Sequence, residues 1–173
     1  MGSIPAGRAK KNTSTRNIMP TCYQLIGVPG SGKSTWVQNQ TWASDCVIVS
    51  TDNLVEQYAQ SLGKTYNEVF KSYMPTAVEL MAQQVVAARE QGQDIIWDQT
   101  STSIASRRRK FNMLLDYRHI AVVFKTPDDQ ELHRRLNSRP GKNIPIEVVE
   151  QMAFDLMMEP PTVDEGFGEI WRT

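Results

Sequence analysis

The eight residues Gly27-Val28-Pro29-Gly30-Ser31-Gly32-Lys33-Ser34 constrain this chain more than any other stretch. Gly27, Gly30 and Gly32 allow a tight backbone turn in which successive N–H groups converge on an anion, with Pro29 and Ser31 completing the loop. Lys33 brings a positive charge to the same point, and the hydroxyls of Ser34 and Thr35 offer hard oxygens to a divalent cation. The apolar run Cys22–Ile26 before the loop reads as a strand, and a helix starting near Lys33 adds its positive end to the anion field. A chance glycine turn would lack that setting, so the loop reads as a complete Walker A phosphate cradle. It predicts an α/β fold, a P-loop NTPase-type parallel sheet with helices on both faces.

The rest of the chain alternates accordingly. Cys46–Ser50, Asp94–Trp97 and Ile120–Phe124 read as further strands, and helices are predicted over Asn53–Leu62, Thr76–Gln91 and about Ser106–Leu115. Thr126 as N-cap, Pro127 in the first position and two aspartates behind it predict the start of a helix that runs to Asn137. The segment Ser138–Asn143 breaks the pattern, a last helix begins at Pro145 and runs to about Met157, and the tail after Pro160-Pro161 reads as irregular. Residues 1–19 are polar and basic, a flexible arm by composition, which leaves 20–173 as one kinase-type domain.

Lys plus Arg equals Asp plus Glu at 19 each, so no net field draws the molecule to a polyanion and any such contact must be local. Two basic runs are candidates, Arg107-Arg108-Arg109-Lys110 and the run carrying Arg134, Arg135, Arg139 and Lys142, though charge runs are most often solvated faces. Cys22 and Cys46 lie in predicted strands without metal-ligand spacing and read as core residues of a reducing compartment. No apolar run nears the ~20 residues that cross a bilayer, and the N-terminus lacks the apolar core of a signal peptide. The expected location is cytoplasmic, in host cytoplasm if the chain is phage-encoded, with no membrane partner.

A cradle names the donor and not the acceptor. An acceptor hydroxyl gains from a carboxylate that orients it and takes its proton. Asp52 follows the second predicted strand and would project beside the phosphate site; the bland alternative is a helix N-cap. Asp98 ends the third strand in Ile95-Ile96-Trp97-Asp98, a pattern that fits a metal-side carboxylate or a group orienting substrate, and Thr100 lies on the same loop. Arg135 and Arg139, four residues apart before the Pro145 helix, fit a lid closing over the γ-phosphate, or else two surface arginines. Trp36, Trp42 and Trp97 offer rings for base stacking but near strands are more often core.

Four features together resemble the kinase domain of the bacteriophage 5′-hydroxyl polynucleotide kinases: Gly27–Trp36, the strand-end Asp52, the strand-end Asp98, and Glu131–Pro145 with its arginines. The resemblance spans roughly Cys22–Met157 and is weak from Glu56 to Glu90. It implies ATP and Mg²⁺ as cofactors, Lys33 and Ser34 as their ligands, Asp52 as general base, and Arg135 and Arg139 as contacts to the donor phosphates. It implies a nucleic-acid acceptor, DNA in preference to RNA, met by Asp52, Asp98, Thr100 and Arg107. Those kinases carry an arginine three residues after the base, gripping the acceptor's phosphate; here the position is Val55, and Arg107, Arg108 or Lys71 are the candidate substitutes. No Asp-x-Asp-Gly-Thr stretch occurs, so a kinase without phosphatase activity is expected. Three other readings stay open: a phage DNA kinase acting on hydroxymethyl pyrimidine bases, a nucleoside or sugar kinase, and a nucleotide switch with no acceptor.

Overall fold

A computed structural model describes residues 19–173, so the basic arm expected over 1–19 lies, but for Met19, outside them. Five strands form one sheet in the order β2-β3-β1-β4-β5: β1 Thr21–Ile26, β2 Val47–Val49, β3 Ile95–Trp97, β4 Arg118–Val123 and β5 Glu169–Arg172. All four pairings are parallel, with Tyr23 opposite Ile96 on one side and Ile120 on the other. β1 therefore sits where the strand order reverses, and its carboxyl end opens into the crevice where such sheets bind ligands. The inner strands read as near-continuous apolar runs because both faces are covered; Leu25, Ile26, Ile95, Ile96, Ala121 and Val122 are fully buried.

The helices are α1 Lys33–Gln38, α2 Thr51–Ser61, α3 Tyr66–Glu90, α4 Ile104–Met113, α5 Asp129–Asn137 and α6 Ile146–Met158. None is long and apolar enough to cross a membrane. Three elements differ from the sequence reading. α3 starts ten residues before the expected Thr76 and runs through Pro75. A reciprocal Thr65/Glu68 capping box starts it, and Val69 and Ala77 on either side of the proline pack with Val55 and Ala59 of α2, which offsets the lost backbone bond. α5 is capped by Asp128, whose side chain accepts from the Glu131 N–H, not by Thr126. The tail is not irregular: a 3-10 turn, Val163–Glu165, leads into β5, which pairs with the outer edge of β4.

The tryptophans pack with core residues. Trp97 is 2% exposed, and Trp36 and Trp42 interlock with Tyr23, Phe124 and Trp171. Cys22 is buried as expected, whereas Cys46 is only partly covered, just ahead of β2.

Candidate active site

β1 ends inside the core and hands the chain to a loop whose shape needs glycine. Gly30 and Gly32 have φ of 81° and 96°, and a Cβ on Gly27 would lie 2.7 Å from Ser31 Oγ and 2.9 Å from Phe124 Cβ. The Gly27 N–H donates to the Thr100 carbonyl at 2.9 Å, which ties the loop to the segment after β3. Lys33, the first residue of α1, is 9% exposed and donates from Nζ to the carbonyls of Gly27 and Val28, each at 2.9 Å. Burial pulls its ammonium down to about 8, opposed by the nearby Asp98 carboxylate. Ser31 Oγ is buried with no hydrogen-bond partner among the described residues. A loop with an orphaned hydroxyl and a buried lysine folded back on its own carbonyls fits a phosphate group.

Two carboxylates face this loop. Asp98, just past β3, accepts from Ser34 Oγ at 3.2 Å. Burial raises its carboxyl above the usual range, and Lys33 and Ser34 hold it back. A hydroxyl paired with a carboxylate is a donor set suited to Mg²⁺, which keeps oxygen ligands and takes the remainder from phosphate and water. Asp52 lies in the first turn of α2, but the cap is Ser50, whose Oγ accepts from the Asn53 N–H at 3.2 Å. The Asp52 side chain is therefore free for the cleft. Its Oδ1 accepts from Tyr66 Oη and its Oδ2 from Lys142 Nζ, each at 2.9 Å. Lys142 Nζ also donates to Glu56 at 2.7 Å, one turn further along α2. Gln99 links the end of β3 to this helix, accepting from Trp97 Nε1 at 3.0 Å and donating to Thr51 Oγ1 at 3.1 Å.

The segment between α5 and α6 lies over the cleft. Arg135 Nη1 donates to the Gly30 carbonyl at 3.0 Å while its Nε pairs with Glu131 at 2.6 Å. Arg139 and Lys142 line the cleft directly. Arg134 turns outward onto Glu131, and the two arginines hold that carboxyl down to about 2. The lid is seated on the start of α3: the Asn67 N–H donates to the Gly141 carbonyl at 3.0 Å, and the Asn143 N–H to Asn67 Oδ1 at 3.1 Å.

The cleft holds about 710 Å³ between the glycine loop, α2 and the lid. A second groove of about 870 Å³ meets it, with Asp52, Tyr66, Asp98 and Thr100 lining both. Its walls are Phe70, Met74 and Val78 of α3, Val148 and Met152 of α6, and Met113 of α4, with Arg109 and Lys110 its basic residues. The structure thus brings together Lys33, Ser34, Asp52, Asp98, Thr100 and Arg139 around one cleft, with Arg135 clasping the glycine loop from outside.

Arg107 is a correction. Expected to meet the acceptor, it is 0% exposed, chelates Glu165 at 2.7 and 2.9 Å, and spends its remaining donors on the carbonyls of Ser101, Thr102 and Glu159. A guanidinium with every donor engaged in the interior has none for a ligand. Val55 is equally out of reach: it is 0% exposed, packed against Val69 and Ala77 of α3, and does not line the cleft. Glu56, Tyr66 and Lys142 were missed as site residues. Lys142 had been one charge in a basic run, and no local pattern shows which member of a run turns inward.

A parallel sheet with β1 at the switch point, a glycine loop closing on a buried lysine, and an arginine-bearing lid define the P-loop nucleotide-binding fold in its kinase-like form. Residues 23–159 match the AAA_33 family of AAA domains, and the chain belongs to that family. Among solved structures, it is similar to a chain of the Pnkp1/Rnl/Hen1 RNA repair complex at 22% identity and a TM-score of 0.62, over 87% of this chain and 47% of that one, so it spans about half that relative's length. It is also similar to a putative kinase from Chloroflexus aurantiacus (17% identity, TM-score 0.64, 90% of this chain and 88% of that one). A third likeness is to the PezAT toxin–antitoxin system of Streptococcus pneumoniae (18% identity, TM-score 0.63, 89% and 69%).

Proposed function

We propose that the protein is an ATP-dependent kinase that transfers the γ-phosphate to a hydroxyl of nucleic acid, first of all a polynucleotide 5′-hydroxyl, in DNA rather than RNA. The observation that carries the reading is the junction of the two cavities: Asp52 and Asp98 line both the phosphate cleft and the groove beside it. In that arrangement the glycine-loop N–H groups and Lys33 hold the donor phosphates. Ser34 and Asp98 would hold Mg²⁺, which would neutralise charge developing on the phosphate oxygens. The acceptor oxygen attacks the γ-phosphorus, the bond to the β–γ bridging oxygen breaks to release ADP, and the hydroxyl proton passes to Asp52. Arg139 stabilises the equatorial charge from the lid, while Arg135 steadies the glycine loop through the Gly30 carbonyl. The RNA repair complex to which one structural relative belongs, and the resemblance over Glu131–Pro145, support a nucleic-acid acceptor.

A second reading, transfer to a hydroxymethyl group on a pyrimidine base within DNA, is favoured by one observation. The groove beside Asp52 has apolar and thioether walls, and the position that would carry a phosphate-gripping arginine is the buried Val55. A flat base suits such walls better than a sugar-phosphate does.

One assay separates these readings: transfer of labelled γ-phosphate to 5′-hydroxyl DNA, to 5′-hydroxyl RNA, and to 5′-phosphorylated DNA carrying hydroxymethyl pyrimidines. Label on the first supports the leading reading, and label only on the third supports the second. Label on none of them, with nucleosides or sugars labelled instead, refutes both. Asp52→Asn should lower kcat by about 10²–10⁴-fold, as expected for loss of a general base. Unchanged turnover in that variant would remove Asp52 from the chemistry and favour a hydrolytic switch.

A further inference from the structure

Of the basic residues on the last turn of α5 and the lid that follows it, Arg134 and Arg139 are exposed, Arg135 is partly covered, and only Lys142 is buried, at 7% exposure. Burying a lysine costs rotamer freedom as well as desolvation, so its partners must compensate. It has three: Asp52 Oδ2 at 2.9 Å, Glu56 Oε1 at 2.7 Å, and the face of the Tyr66 ring at 4.3 Å. Asp52 and Glu56 are four apart on α2, a spacing at which like charges repel. Tyr66 Oη donates to the other Asp52 oxygen at 2.9 Å, so the carboxylate is held by one group from α3 and one from the lid. Its unused lone pairs are what an acceptor hydroxyl would address.

The lid does not need Lys142 to stay seated. The backbone pairing of Asn67 with Gly141 and the Asn67–Asn143 bond hold it to α3 independently, and Gly141 lies against Thr65. Lys142 instead does what those contacts cannot: it places a positive charge between two carboxylates beside the glycine loop.

We propose that Lys142 is a positioning residue of the acceptor site, a lid-borne counter-ion that fixes Asp52 against repulsion from Glu56, so that the base is aimed only when the lid is seated. The proposal rests on the role given to Asp52 above. Without Lys142 the two carboxylates swing apart and Asp52 loses its Tyr66 contact; with Glu56 neutralised as well, the cause of that displacement is gone.

The test is kinetic and structural, on Lys142→Met, Glu56→Gln and the double variant, using whichever nucleic acid the wild type phosphorylates. Lys142→Met should lower kcat by about 10–100-fold, the range a small misplacement of a reacting group produces, and change KM for ATP less than threefold. Adding Glu56→Gln should restore at least fivefold of the loss, and Lys142→Arg should keep more activity than Lys142→Met. A kcat within threefold of wild type, a loss confined to KM for ATP, or no recovery in the double variant overturns the proposal. Crystal structures of the variants give a readout that needs no acceptor: Asp52 should leave Tyr66 Oη in Lys142→Met and return in the double variant, and an unmoved Asp52 overturns the proposal. If Lys142→Met does not fold, Lys142→Gln takes its place. A wild type that labels no nucleic acid refutes the functional reading, and the crystallographic result then judges Lys142 alone.

Discussion

Replacing Arg107 by methionine separates a structural arginine from a substrate-binding one. The side chain is fully buried, and its five hydrogen bonds comprise two to Glu165, at 2.7 and 2.9 Å, and three to the carbonyls of Ser101, Thr102 and Glu159 at 3.2, 3.1 and 2.9 Å. Methionine fills much of the volume, so the cost is mainly electrostatic: Glu165, 12% exposed, is left without its counter-ion and three carbonyls lose their donor. Breaking a buried pair from one side costs about 3–5 kcal/mol. In a chain of this size that corresponds to a fall in Tm of about 6–20 °C. The loss also reaches the active site, because Ser101 sits at a φ of 51° and its neighbour Thr100 accepts the Gly27 N–H of the phosphate loop. Thermal and urea unfolding of Arg107→Met, with acceptor KM measured well below its Tm, check the reasoning. A Tm within 2 °C of wild type together with a tenfold rise in acceptor KM would show that Arg107 reaches substrate and that the buried network does not carry it.

Two further predictions follow from the same geometry. Burial holds Lys33 down to about 8 in the free protein, and phosphate oxygens should restore its charge on binding. Nucleotide binding should therefore take up protons, more at pH 8.5 than at pH 7, with affinity falling as pH rises above 8. Calorimetry in buffers of different ionisation heat measures this, and no uptake at pH 8.5 would sink the assignment. Val55→Arg, which restores the residue type the phage kinases carry, should place an unpaired charge between α2 and α3 and cost several kcal/mol. A variant that melts with the wild type and binds 5′-hydroxyl ends more tightly would mean that this face of α2 meets substrate.

What the sequence made legible was local. The glycine spacing, the apolar strand before it and the strand-end aspartates are each contained in a few consecutive residues, and the structure gathers Lys33, Ser34, Asp52 and Asp98 around one cleft. What escaped depends on partners distant in the chain. β5 is four residues, Glu-Ile-Trp-Arg, with no period to read, and becomes a strand because β4 offers an open edge. Arg107 and Lys142 each sit in a basic run, and only Glu165 for one and Asp52 with Glu56 for the other turn them inward. The start of α3 was readable: Thr65-Tyr66-Asn67-Glu68 carries the capping-box pattern ten residues before the expected Thr76.

That displaced boundary bears on specificity. The ten residues Tyr66–Pro75 supply Tyr66 to Asp52, Asn67 to the lid, and Phe70 and Met74 to the wall of the groove. The glycine loop, a short-range device, handles the phosphates that any nucleoside triphosphate presents. Under the proposed function the acceptor is met by the first half of α3, which falls within Glu56–Glu90, the segment where the resemblance to the phage kinases is weak. One fold can keep its donor machinery constant while a single element changes what receives the phosphate. Substitutions along Phe70 and Met74 should accordingly alter the choice among acceptors while leaving nucleotide binding at Lys33 and Ser34 intact.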